Sequence, residues 1–113
     1  MGALAGGLGA NGEVCGALIG ALAVMGLRFG RGGEEEKEDR RMWGYTRELL
    51  KRFREEIVQS HGGIRCREIA GVDWSNREQV QSFYKPGSEK YSECARIVGE
   101  TAKLTGELLE RQT

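Results

Sequence analysis

The sequence predicts an all-α fold, a small helical bundle of three to five helices forming one domain over residues 1–113, and three observations carry that expectation. No segment alternates apolar and polar residues with the period of two that a half-buried strand needs. Three long segments instead repeat apolar residues every three or four positions, as a helix with one buried face does. Glycine clusters and the single proline, Pro86, separate those segments. A chain of this length buries roughly two-thirds of the surface its unfolded form exposes, so a partner subunit or bound metal adds noticeably to its stability.

Residues 1–12 form a glycine-rich opening segment in which helix is weak and close backbone approach is easy. Asn11-Gly12 reads as a cap, Glu13 sits where a helix dipole favours a carboxylate, and an apolar run follows to Phe29, so the first helix is expected to begin near Gly12. Gly16, Gly20 and Ala23 recur along it, as do Cys15, Ile19, Leu22 and Gly26, which places it in the middle of the fold. Glycine inside a helix costs about 1 kcal/mol relative to alanine. Gly16 and Gly20 therefore mark a surface that another backbone, or a bound cofactor, approaches closely, with tight helix packing the plainer of the two readings.

Gly30-Arg31-Gly32-Gly33 ends that helix, and Glu34-Glu35-Glu36 is expected to open a second one running to Gln59. Its apolar stripe is Met42, Tyr45, Leu49, Phe53 and Ile57, with Leu50 beside it. His61-Gly62-Gly63 stops it, and Ile64 to Ile69 reads as a short helical turn before Gly71. Residues 72–87 form an irregular connection anchored by Trp74 and Phe83, in which Asp73 or Ser75 caps a short helix through Val80. Pro86-Gly87 then makes a turn and Ser88 an N-cap, after which Tyr91, Cys94, Ala95, Val98, Ala102, Leu108 and Leu109 mark a final amphipathic helix.

Charge and motif exclude several functions. Seventeen basic and seventeen acidic residues cancel, and acidic side chains interrupt the cluster of Arg47, Lys51, Arg52 and Arg54, so no basic stripe offers itself to nucleic acid. The most apolar stretch, Val14 to Leu27, is roughly 14 residues long, whereas a membrane-crossing helix needs about 20. The first residues carry no basic group, so no secretory signal is expected and the cytoplasm is the expected location. Gly6-Gly7-Leu8-Gly9 has neither a preceding strand nor a following lysine, which sets nucleotide binding aside.

The three cysteines remain. Cys15 falls near the start of the first helix, where free backbone amides stabilise a thiolate, although a small buried hydrophobe is an equal reading. Cys66 stands between Arg65 and Arg67, and cationic neighbours favour ionisation, so it is the expected nucleophile. Cys94 lies on the apolar stripe of the last helix beside Glu93, which disfavours its thiolate. No CxxC pair occurs, so a site for zinc or an iron–sulfur cluster has to be assembled from Cys15, Cys66 and Cys94 across distant segments, with the single histidine, His61, as fourth metal ligand. A histidine interacting with the carbonyls of a helix end is the plainer reading of His61.

Gly6-Gly7-Leu8-Gly9, then Gly12-Glu13-Val14-Cys15-Gly16-Ala17-Leu18-Ile19-Gly20-Ala21 and on to Gly26-Leu27, resembles the signature of the C_GCAxxG_C_C family of redox-active proteins. Ile64 to Gly71 resembles its third cysteine segment, and Cys94 to Val98 its last. The resemblance runs from Gly6 to about Leu109 in family order, and it implies a helical domain whose cysteines serve a redox or metal role. Family members carry a further cysteine on a helix before the glycine-rich stretch. The expectation is therefore an N-terminally short member, with a homo-oligomer favoured by an uncovered Gly16 and Gly20 face. Two functions follow: a thiol redox or metal-binding protein acting on an unknown redox partner, and a structural or interaction module whose cysteines are core residues.

Overall fold

The computed structural model describes residues 4, 6–33, 35–37 and 39–111, and among them the chain is all-α. In order come α1 (Gly16–Phe29), α2 (Arg41–Arg52) continued by a π-helical turn (Phe53–Ile57), α3 (Cys66–Ile69), α4 (Arg77–Phe83) and α5 (Glu89–Glu110). The two glutamates at 34 and 38 and the residues at 1–3, 5 and 112–113 lie outside the described residues.

α1, α2 and α5 pack around one apolar core. α1 contributes Leu18, Ala21, Met25 and Phe29, spaced by three and four, and Phe29 stacks on Tyr45 of α2 at 5.1 Å between ring centroids. The expectation of a helix covered on every side is corrected here: Val24 is exposed and Leu27 is 87% exposed. Its long neighbours α2 and α5 both pack on the Leu18–Phe29 side, which leaves the opposite face open. The stripe read along the second helix stands, with Leu49, Phe53 and Ile57 buried and Met42, Tyr45 and Leu50 half-buried against them. The π turn is marked by the Val58 N–H donating to the Phe53 carbonyl at 3.0 Å. Its wider circuit lets Phe53, Ile57 and Val58 all face inward.

Several boundaries differ from the sequence reading, each because a local side-chain or long-range bond outcompetes helix. α1 begins at Gly16 and not near Gly12, since Glu13 and Cys15 spend their backbone groups elsewhere: the Cys66 N–H donates to the Glu13 carbonyl at 2.5 Å and the Cys15 N–H to the Ile64 carbonyl at 3.0 Å. α2 begins at Arg41 and not at 34. The Glu36 carboxylate accepts from the Gly32 N–H, and Asp39 accepts from the Arg41 N–H while its own N–H donates to the Phe29 carbonyl. Such bonds give short acidic residues an alternative to the helix ladder.

The cap of α4 is Asn76, which accepts from the Gln79 N–H at 3.1 Å, and the helix runs on to Phe83. Asp73 instead holds the preceding turn by accepting from the Ser75 N–H and hydroxyl. Ser88 caps α5 as read, accepting from the Tyr91 N–H at 3.2 Å. The buried face of α5, however, is Ile97, Thr101, Leu104, Thr105 and Leu108, while Tyr91 and Val98 are more than half exposed. Both threonine hydroxyls donate back to carbonyls four residues earlier, so neither is left unsatisfied in the core. Among the described residues no helix is long and apolar enough to cross a membrane.

Candidate functional site

Beside the main core lies a second, smaller apolar cluster of Cys66, Ala70, Val72 and Phe83, with Trp74, Val80 and Cys94 packed against it. Cys94 also touches the main core, so it sits at the seam between the two. At this seam opens a cavity of about 360 Å³ whose wall includes Cys15, Cys66 and Cys94. All three are free thiols; Cys66 is buried, while Cys15 and Cys94 are partly exposed. Folding therefore gathers the three cysteines from the start of α1, the start of α3 and the second turn of α5.

Backbone pairing places the first two. Val14 and Arg65 form an isolated antiparallel bridge. Successive side chains alternate across such a pairing, so Cys15 and Cys66, the residues after each partner, project from its same face as diagonal neighbours. The glycine-rich opening covers this bridge. Gly6 through Ala10 all have φ between +59° and +68°, a left-handed turn that costs the non-glycine residues Leu8 and Ala10 roughly 1–2 kcal/mol each. The Asn11 side-chain amide donates to the Leu8 carbonyl at 3.1 Å and closes the turn.

Two glycines are required by contact. A Cβ on Gly7 would lie 2.5 Å from the Cys66 Cβ and 2.7 Å from the Glu13 carbonyl oxygen. One on Gly16 would meet the Leu4 carbonyl oxygen at 2.7 Å, so a backbone does approach that glycine. Gly16 also lines the cavity; Gly20, one turn further along α1, is not among its lining residues.

Among the described residues the cavity wall carries no charged side chain. Burial pushes the Cys66 thiol up from its ordinary value, against which the Trp74 indole N–H, donating to Cys66 Sγ at 3.4 Å, pulls it back down. Burial pushes Cys94 up to about 11, with the Cys66 and Cys15 sulfurs and then Glu93 adding to the shift. The thiols are thus electrically coupled: ionising one makes the next harder to ionise.

The arginines beside Cys66 do not act on it as their place in the sequence predicts. Arg67 turns away, donating to the Gly12 carbonyl at 3.0 Å and to the Glu13 carboxylate at 2.5 Å, and Arg65 is exposed. Burial therefore moves the Cys66 thiol up where its cationic sequence neighbours predicted a lowering.

His61 does not line the cavity. Its Nε2 lies 2.8 Å from the Glu93 carboxylate, which Arg96 also grips, and the two hold Glu93 below the usual carboxylate range, Arg96 having the larger share. Arg96 further donates to the Ile57 carbonyl at the end of the π turn, so this cluster fastens α5 to the end of the second helix. Among the described residues no set of three or more histidine, cysteine, aspartate or glutamate side chains is arranged to hold a metal ion. His61, expected as the fourth ligand of a zinc or iron–sulfur set with Cys15, Cys66 and Cys94, thus faces Glu93 and not the cysteines' cavity.

Two participants escaped the sequence reading. Gly7 was legible only as part of a flexible stretch, and its contact with Cys66 has no local signal. Trp74 was legible as an apolar anchor; an indole eight residues after Cys66, across a glycine turn, was the available hint of an N–H···S bond.

A family model described as "Putative redox-active protein (C_GCAxxG_C_C)" matches residues 1–108. No curated protein and no solved structure matches the chain.

Proposed function

The chain belongs to the C_GCAxxG_C_C redox-active family, and from that premise we propose that it is a thiol redox protein, cycling between dithiol and disulfide at its shared cavity. The observation that carries this reading is that all three cysteines line one cavity. Cys66 is the pivot. It shares a bridge face with Cys15, and of the other two thiols it is the one that pushes Cys94 up more. On oxidation two S–H bonds break, one S–S bond forms, and two electrons and two protons pass to a two-electron acceptor, which is reduced; in the reverse step the reduced carrier returns them to the disulfide and is reoxidised. The third thiol, on the same cavity wall, stays reduced and would exchange with the disulfide by thiolate attack. Trp74 steadies the Cys66 sulfur through its N–H, and the apolar wall keeps water from competing.

The test is a redox titration of the whole protein in dithiol–disulfide buffers, with thiols counted by alkylation and intact mass. Two of three thiols should disappear together as an intramolecular disulfide. Cys66→Ser should abolish this, while Cys15→Ser and Cys94→Ser should each leave one pair that still closes. Three thiols that remain free at every potential, or that are all masked by a stoichiometric metal in elemental analysis, would overturn the reading, the second outcome in favour of a soft-metal site. Retention of fold and assembly by a triple alanine variant, with no disulfide ever formed in the parent, would favour the interaction module.

A further inference from the structure

The acceptor's chemistry can be read from the wall around the thiols. The cavity is lined by aliphatic and aromatic side chains, the three cysteines and glycine backbone, and among the described residues no carboxylate, ammonium or guanidinium lines it. One side is a stack of rings: Trp74 meets Phe83 edge to face at 5.3 Å, and Phe83 meets Tyr84 at 5.0 Å. Tyr84 and Val98, 61% and 57% exposed, flank its mouth. At about 360 Å³ it holds one small ring system.

A charged carrier such as a peptide disulfide would leave its carboxylates and ammonium groups unpartnered there, and burying an unpaired charge is costly. A flat, uncharged molecule would instead stack on the ring wall and lie against the sulfurs. Combined with a dithiol, which gives up two electrons at once, the requirements are an uncharged charge-free ring, modest size and two-electron acceptance.

We propose that the carrier is a small quinone, bound in the cavity between the ring wall and the cysteines; this rests on the thiol redox reading above. The step balances: two protein thiols and one quinone give one protein disulfide and one hydroquinone, the two hydrogens going to the two quinone oxygens.

Duroquinone is the probe, because all four of its ring positions carry methyl groups and none offers a hydrogen for thiol substitution. Reduced full-length protein is mixed anaerobically with duroquinone or with glutathione disulfide at equal concentration, and hydroquinone release and protein mass are followed. Duroquinone should oxidise the protein at least about tenfold faster. Val98→Asp, which puts a charge at the mouth, should cut that rate roughly tenfold, and Tyr84→Ala should lower it as well. Leu27→Asp, on the open face of α1 far along the helix from Cys15, should not change it. Equal or faster oxidation by glutathione disulfide, or indifference to both Val98→Asp and Tyr84→Ala, overturns the quinone proposal while leaving thiol redox standing. Failure of every oxidant and of the dithiol buffers to close a disulfide sinks both.

Discussion

The two apolar clusters are built on different terms. The main core takes long side chains from three long helices, and Met25, Leu49, Phe53 and Leu108 are fully buried within it. The smaller cluster takes short segments, small residues, rings and thiols, and a cavity of about 360 Å³ opens where it meets Ile69 and Ile97 of the main core. Close packing is what makes a core stable, and a void beside reactive groups forfeits part of it. The densely packed core and the thiol-lined cavity thus adjoin, with Cys94 on α5 packed against both clusters.

That contrast is broken most severely from the core side. Phe53→Ala removes a ring with no exposed surface at the start of the π turn, and it should destabilise the fold by about 3–5 kcal/mol. Chemical denaturation measures this directly. A loss under about 1 kcal/mol would mean that the main core is loose and that the contrast with the thiol cluster is false.

Gly7→Ala attacks the other region. The added methyl meets the Cys66 Cβ and the Glu13 backbone at under 3 Å in a residue with φ of +68°, so both clash and left-handed strain oppose it. About 2–3 kcal/mol should be lost. Because the displaced group is Cys66 itself, its alkylation should accelerate before global unfolding, read by mass mapping of the labelled cysteine. Unchanged Cys66 protection would show that the glycine-rich turn does not seal the thiol cluster.

The same division explains how much was legible in the sequence. Helical periodicity exposed the main core's second helix, since Leu49, Phe53 and Ile57 repeat at the spacing that burial needs. Along α5 it placed Leu108 in the core but put Tyr91 and Val98 on the buried side and left out Ile97 and Leu104, with Thr101 and Thr105 reading as polar although their hydroxyls bond to their own helix. In α1 nearly every face is apolar or small, and a pattern without contrast cannot say which side is covered. At the site, the cysteines themselves were plain, and their convergence was not. It depends on a one-residue bridge, Val14 with Arg65, that leaves no periodic trace. The direction of the Cys66 shift was misread for a related reason, since Arg65 and Arg67 are neighbours along the chain but spend their charge on other groups.

A subtler difference between the clusters appears at high pH. Cys94 binds its proton more tightly folded than unfolded, so its contribution to stability is fully present below its ordinary value of 9.0. It is lost as pH rises towards about 11, because the unfolded chain gives up the proton first. Cys66, also raised, adds in the same direction. Thermal midpoints should therefore fall between pH 9 and 11 less steeply in Cys94→Ala than in the parent, even though the variant starts lower. Parallel curves would mean that the Cys94 thiolate is as well solvated in the fold as outside it.

The smallest expected effect isolates one bond. Trp74→Phe keeps a ring against Phe83 but removes the N–H that donates to Cys66 Sγ, a contact that eases ionisation of this buried thiol. Without it the Cys66 thiol should rise further, and its alkylation rate at fixed pH should fall by about two- to fivefold, the equivalent of one modest hydrogen bond. Packing alone predicts the opposite sign, since a smaller ring opens space around the sulfur and speeds the reagent's access. A slower rate with the pH profile displaced upward thus assigns Trp74 an electrostatic part in positioning the thiolate, whereas a faster rate with an unshifted profile reduces it to a wall of the cavity.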